Sequence, residues 1–171
     1  MKTIKYVLSS FMAFTLLVNC GGGEKKKEDS SNKIQLKSTD TKKEADDNVA
    51  NIMITGNDQM QYNLKEIKVK AGQKVKLTLR HIGVLGKDVM GHNFVILKPG
   101  VVMADFAAKA ATEKASDYIP KDTQDVIAHT KLIGGGETTT IEFDAPPAGT
   151  YDFMCSFPAH FAMMHGKFIV E

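Results

Sequence analysis

Apolar and polar residues alternate with period two through several short runs of the chain. The runs are 51–55 (NIMIT), 66–70 (EIKVK), 74–79 (KVKLTL), 93–97 (NFVIL), 138–143 (TTTIEF), 150–154 (TYDFM) and 167–170 (KFIV), many of them separated by Gly, Pro or Asn. Such alternation suits strands that bury one face and wet the other. Several short strands within about 120 residues predict an all-β protein, a Greek-key β-sandwich. One stretch breaks the pattern: residues 102–114 are Ala-rich and free of Gly and Pro, which predicts a single helix inserted between strands. Gly134-Gly135-Gly136 reads as a turn, because no strand and helix flank it in the order a phosphate-binding loop needs.

Before residue 49 the texture differs. Lys2 and Lys5 precede an apolar run from Tyr6 to Val18, too short to span a bilayer comfortably, so residues 1–19 are expected to be a secretory signal. The segment Leu17-Val18-Asn19-Cys20 followed by three glycines resembles the site at which bacterial lipoproteins are cleaved and their cysteine acylated, with Asn19 where a small residue is usual. Cys20 is therefore the expected lipidation site. Residues 20–48 hold seven lysines and seven acidic residues with almost nothing to bury, which predicts a flexible charged tether. Residues 49–171 form the expected folded domain, about the size one hydrophobic core supports.

Charge excludes one class of function. The whole chain carries a formal +2, and residues 49–171 hold 13 basic and 13 acidic side chains without a basic stripe, so no nucleic-acid face is expected. With Cys20 lipidated, Cys155 is the remaining thiol, and no disulfide can form inside the domain. An unpaired thiol in an oxidising compartment calls for a protector or a use, and a bound metal is both.

Candidate chemistry gathers in one loop. Cys155, His160 and Met164 offer a thiolate, an imidazole and a thioether within ten residues. A redox copper site takes one thiolate, two imidazoles and a weak axial donor, so the loop lacks only a second imidazole. His81, His92, His129 and His165 are the candidates. His92 is favoured locally, because it heads an apolar run and Gly91 before it lets a backbone carbonyl approach a metal. Two other chemistries use the same residues: a Cys-His nucleophile, which has no orienting acid in evidence, and a zinc site, which prefers further Cys or His to a thioether.

The motifs GNDQMQ (56–61), MGHN (90–93), VIAHTKLI (126–133) and Cys-x4-His-x3-Met resemble those of the azurins, blue copper proteins of the cupredoxin superfamily. The resemblance covers nearly all of residues 49–171. It implies one copper held by His92, Cys155 and His160, with Met164 and the Gly91 carbonyl as distant axial donors. Asn93 would tie the ligand loops together and Phe157 would pack on the site. His81 matches a histidine whose protonation can be linked to copper redox state, although a core histidine satisfied by backbone hydrogen bonds fits equally. His129 matches a surface histidine. Azurins carry a disulfide at the pole away from copper, and no cysteine stands near Ala50 or Gly72 here, which implies a less stable apo-protein. The family's buried tryptophan is missing too, with Phe94 near that strand.

By the same resemblance, the function expected is single-electron transfer through a type 1 copper site, without enzyme activity. A copper-delivery lipoprotein is the alternative. His160 would pass the electron, its ring edge approaching solvent. Around it the resemblance places an apolar docking patch of Met60, Leu85, Val89 and Met90, continued by Phe157, Pro158 and Ala159. Expected partners are c-type cytochromes or a membrane-bound or periplasmic oxidoreductase, met by a monomeric or weakly self-associating carrier. The expected location is the periplasmic face of a bacterial membrane through the lipid, or the soluble periplasm after signal cleavage.

Overall fold

The computed structural model describes residues 48–171. The signal, Cys20 and nearly all of the tether therefore lie outside the described residues. Among the described residues, nine strands form two sheets packed as a sandwich. One sheet has the order β2-β1-β4-β7, built from β1 (Val49–Asn57), β2 (Gln61–Tyr62), β4 (Lys74–His81) and β7 (Thr138–Asp144). The other has the order β3-β9-β8-β5-β6, from β3 (Glu66–Val69), β9 (His165–Val170), β8 (Gly149–Met154), β5 (Val95–Leu97) and β6 (Val126–His129). Each sheet contains one parallel pair, β1 with β4 and β3 with β9.

Alternation does what it should. Along β4, Val75, Leu77, Leu79 and His81 are buried while Lys74, Lys76 and Arg80 face solvent, so His81 is carried inward by the same period that buries three aliphatic residues. The principal core lies between the sheets and includes Ile54, Leu77, Phe94, Phe153 and Phe168. A second cluster lies on the outer face of β5, where Val95 and Leu97 meet Phe106 and Ala110. β5 is accordingly buried on both faces.

The inserted helix is shorter than the composition predicts. α1 is a single turn, Lys87–Met90, and the Ala-rich segment supplies α2, Met103–Ala110. After Ala110 the backbone tightens: Glu113 N–H donates to the Ala110 carbonyl, and the Thr112 hydroxyl donates to the Lys109 carbonyl. A hydroxyl that satisfies a terminal carbonyl favours ending a helix there. Lys114–Ser116 then forms a separate 3-10 turn. β5 also starts later than its apolar run, because the Phe94 N–H is used by the Thr130 hydroxyl at 2.9 Å. No helix among the described residues is long and apolar enough to cross a membrane.

Candidate metal centre

Three loops converge at one pole of the sandwich. Gly91 and His92 lead into β5, Asn57 ends β1, and residues 155–164 connect β8 to β9. The last of these is closed by Cys155 N–H donating to the Met164 carbonyl at 2.9 Å and Met164 N–H donating to the His160 carbonyl at 2.8 Å. Within it Ala159 takes a left-handed conformation, φ 67°, just before a 3-10 turn at His160–Ala162. That reversal brings His160 back over Cys155, with 3.7 Å between its Nδ1 and the sulfur.

His92 completes the cluster. Its backbone pairs with Ile133 through two 2.9 Å hydrogen bonds, which fixes the main chain, and its Nε2–H donates to the Asn57 carbonyl at 2.9 Å, which fixes the ring. The tautomer follows: Nδ1 carries a free lone pair. Among the described residues, His92 Nδ1 is the buried side-chain nitrogen or oxygen left without a hydrogen-bond partner. Such an orphan is costly unless something binds it. His92, Cys155 and His160 are all buried, and their ligand atoms lie within 4.8 Å of one another. An orphaned imidazole nitrogen facing a thiol and a second imidazole is a donor set that fits copper.

Burial governs the protonation of the three. It pushes the Cys155 thiol up to about 11, against the opposing pull of the Asn93 and Phe157 backbone N–H groups and the Tyr62 hydroxyl, which favour a thiolate. It lowers His92, and it brings His160 down to about 4, helped by the neighbouring His92 and His81. Both imidazoles are therefore neutral and ready to bind, while the thiol must give up a proton to the incoming metal.

Asn93 cross-links the loops. Its Oδ1 accepts the Ser156 N–H at 2.9 Å, and its Nδ2 donates to the Ser156 hydroxyl and to the Asp117 carbonyl, each at 2.8 Å. The neighbours of two ligands, His92 and Cys155, are thus joined side by side. Phe157 lies with its ring centroid 4.5 Å from that of His160 and meets Tyr118 edge-on at 5.1 Å.

Met164 is fully buried in the same cluster as Cys155, and the Gly91 carbonyl lies 3.9 Å from the sulfur. His81 stands behind His92, its Nδ1 accepting the Gly83 N–H and its Nε2 donating to the Met90 carbonyl. His129 and His165 are exposed and their Nδ1 atoms bond backbone carbonyls of Thr130 and Phe161. Of the apolar patch, Leu85, Val89 and Ala159 are exposed, and Met60, Met90, Phe157 and Pro158 are half-buried. The expected solvent-facing edge of His160 differs in the structure, since only 3% of the residue is exposed beneath Phe157 and its loop. Sequence reasoning passed over Tyr62, Asp58, Ser156 and Thr130. Asp58 and Thr130 lie inside the 56–61 and 126–133 motifs and Ser156 stands beside Cys155, whereas Tyr62 carried no signal of its own.

A family model described as copper binding proteins, plastocyanin/azurin family, matches residues 48–171. The chain belongs to that family. Copper is accordingly the metal of the His92–Cys155–His160 site, one ion per chain. Among similar proteins, Azurin-1 of Alcaligenes xylosoxydans xylosoxydans is 44% identical over 117 residues, 66% of this chain and 91% of that protein. Outer membrane protein H.8 of Neisseria gonorrhoeae is 43% identical over 120 residues, 67% of this chain and 63% of that protein. Among solved structures, dithionite-reduced auracyanin of Roseiflexus castenholzii is similar with TM-score 0.65 and 35% identity, covering 71% of this chain and 97% of that one. An azurin of Methylomonas sp. strain J matches with TM-score 0.66 and 32% identity, covering 71% and 98%. The fold is the all-β cupredoxin sandwich with one short inserted helix.

Proposed function

We propose that the chain is an electron carrier and not an enzyme, in which His92, Cys155 and His160 would hold the copper and Met164 and the Gly91 carbonyl would be weaker donors beside it. The observation that carries this reading is the ready-made triad: three buried ligands held before any metal arrives, with His92 Nδ1 left open. Copper bound there supplies a one-electron couple. The protein's part is to keep the ligands still, through the Asn57 carbonyl on His92 and the Asn93–Ser156 link between loops. Ligands that move little between oxidation states lower the rearrangement that accompanies electron transfer.

Burial of all three ligands argues against the delivery alternative, because copper handed to an acceptor needs a site that a second protein can reach. His160 lies nearest the apolar surface, covered by Phe157, so the electron would leave through that thin cover. Val89, 66% exposed, and Leu85, 39% exposed, mark a neutral apolar patch suited to brief, weak docking with a redox protein such as a c-type cytochrome or an oxidoreductase. Attachment to the periplasmic face of a membrane through acylated Cys20 fits the lipoprotein-like sequence before residue 49 and a relative named as an outer membrane protein. It would confine carrier and partner to one layer and raise their effective concentration.

The test is the visible spectrum of the copper-loaded chain beside a Cys155→Ser variant. An intense copper–thiolate band that the variant loses supports the carrier. A weak spectrum indifferent to Cys155, or rapid transfer of copper to an apo acceptor, overturns it.

A further inference from the structure

Two residues beside the site take a backbone conformation that side chains avoid. Asp117 and Tyr118 follow one another in the left-handed region, at φ 57° and 59°. Aspartate tolerates that region, but for a bulky aromatic residue it is an outlier that persists only where surrounding contacts outweigh it. Those contacts are present. The Tyr118 N–H donates to the Glu113 carbonyl at 2.9 Å, and the Asp117 carbonyl accepts from Asn93 Nδ2 at 2.8 Å. The twist thus ties the segment after α2 to the neighbour of His92, and it turns the Tyr118 side chain inward, where only 6% of the residue is exposed.

That ring ends on Phe157. The two meet edge-on, at 5.1 Å and 69°, and the Phe157 ring in turn lies 4.5 Å from that of His160. Three rings therefore run in series from the strained segment to a ligand. His160 turns Nδ1 to the Cys155 sulfur, which leaves Nε2 on the side away from it. Phe157 also lines an apolar groove of about 360 Å³, with Ala104, Ala107, Ala108 and Ala111 on the facing helix. About 150 Å³ is enough to take a benzene ring, so Phe157 has somewhere else to go. Its contact with Tyr118 opposes that move, because an edge-on aromatic pair is favourable beyond the area it buries.

We propose that Tyr118 is a positioning residue of the metal centre: its ring keeps Phe157 lying over His160 and out of the groove beside α2, so that small molecules reach this ligand only past an ordered cover. What this means for electron transfer rests on the proposed exit through His160, whereas the cover itself does not.

The test is acylation of His160 by diethyl pyrocarbonate in the apo-protein at neutral pH, followed by peptide mapping with the exposed His129 as internal reference. Tyr118→Gly removes the ring and suits the left-handed backbone, so the chain should still fold. A reagent reaches a covered side chain only through local opening, so His160 should react at least about tenfold faster in this variant, relative to His129. Tyr118→Phe keeps the edge-on pair and should stay within about twofold of wild type. Phe157→Ala should also speed the reaction, and adding Tyr118→Gly to it should change nothing further, because Tyr118 acts through Phe157. Leu97→Ala is the control for general loosening, a buried change in the same cluster as Tyr118 but at the far end of β5 from His92, and should leave His160 protected. No acceleration in Tyr118→Gly, an equal acceleration in Leu97→Ala, or additive effects in the double variant overturns the role of Tyr118. Absence of a copper–thiolate band in the copper-loaded wild type overturns the carrier instead and leaves the apo-protein result standing.

Discussion

The imidazoles of His81 and His92 are stacked, with centroids 4.2 Å apart and planes within 10° of parallel. His81 is in turn held by the Gly83 N–H and the Met90 carbonyl, so a rigid ring backs the metal ligand. His81→Phe keeps a ring in the stack and removes both hydrogen bonds. Buried groups left unsatisfied cost about 1–3 kcal/mol each, so losing the two bonds should cost the variant about 2–6 kcal/mol in apo-protein denaturation. A loss below about 1 kcal/mol would mean that the ring, and not its hydrogen bonds, supports His92.

Gly56 lies where no side chain fits. A Cβ there would meet His92 Cδ2 at 2.7 Å and the Met164 terminal methyl at 3.3 Å. His92 cannot retreat, because Asn57 and the stacked His81 hold it. Gly56→Ala should therefore misplace a ligand as well as cost about 1–3 kcal/mol by overpacking. Copper titration should show affinity reduced at least about tenfold, the scale on which disturbed support of ligands is felt. Unchanged affinity would show that the strand moves instead of the imidazole.

Asn93 and Ser156 should behave as one unit. Asn93→Ala removes two hydrogen bonds between the ligand loops and a third to the Asp117 carbonyl, whereas Ser156→Ala removes only the side-chain one. Asn93→Ala should cost about 2–4 kcal/mol, and the double variant should cost clearly less than the sum, by about 0.5–3 kcal/mol. Strict additivity in chemical denaturation would mean that the two side chains are not coupled.

Acid and alkali should each destabilise the apo-protein, for opposite reasons. Buried His160, brought down to about 4, and His92, also lowered, bind protons less readily folded than unfolded. Their contribution is full above an unfolded value of about 6.5 and is lost as pH falls toward 4. The Cys155 thiol, raised from 9.0 to about 11, stays protonated when folded but ionises when unfolded, so stability falls between those values. Melting temperatures measured across the range should form a plateau between the two limbs. The alkaline limb should shrink in Cys155→Ser and in the copper-loaded protein, whose folded form already holds the sulfur deprotonated, whereas copper should steepen the acid limb, because its ligands take up protons only on unfolding.

How legible the fold was depended on how locally each element is determined. Alternation in residues 74–79 exposed β4 because Val75, Leu77 and Leu79 point the same way in any sheet. β6 stayed hidden, since Val126–His129 is neither fully buried nor alternating, and β2 is only two residues long. The extended helix failed at Thr112, where a side-chain bond to a carbonyl outweighs Ala-rich composition. In the site, spacing brought Cys155, His160 and Met164 together within one loop. His92 was picked out by its local setting, but its open Nδ1 depends on Asn57, which is 35 residues away. Tyr62 was invisible for the same reason, since its meaning lies in a neighbour across the sheet sandwich.

The parallel pairing of β3 with β9 joins residues 66–69 to 167–170. Cys155, His160 and Met164 lie in the loop between β8 and β9, which pair with each other, whereas His92 reaches them from the segment before β5, much earlier in the chain. Contacts that distant in sequence form slowly. The complete set of buried ligands therefore exists only where two distant stretches of the chain have already met, which ties the finished metal cradle to the closing of the sandwich.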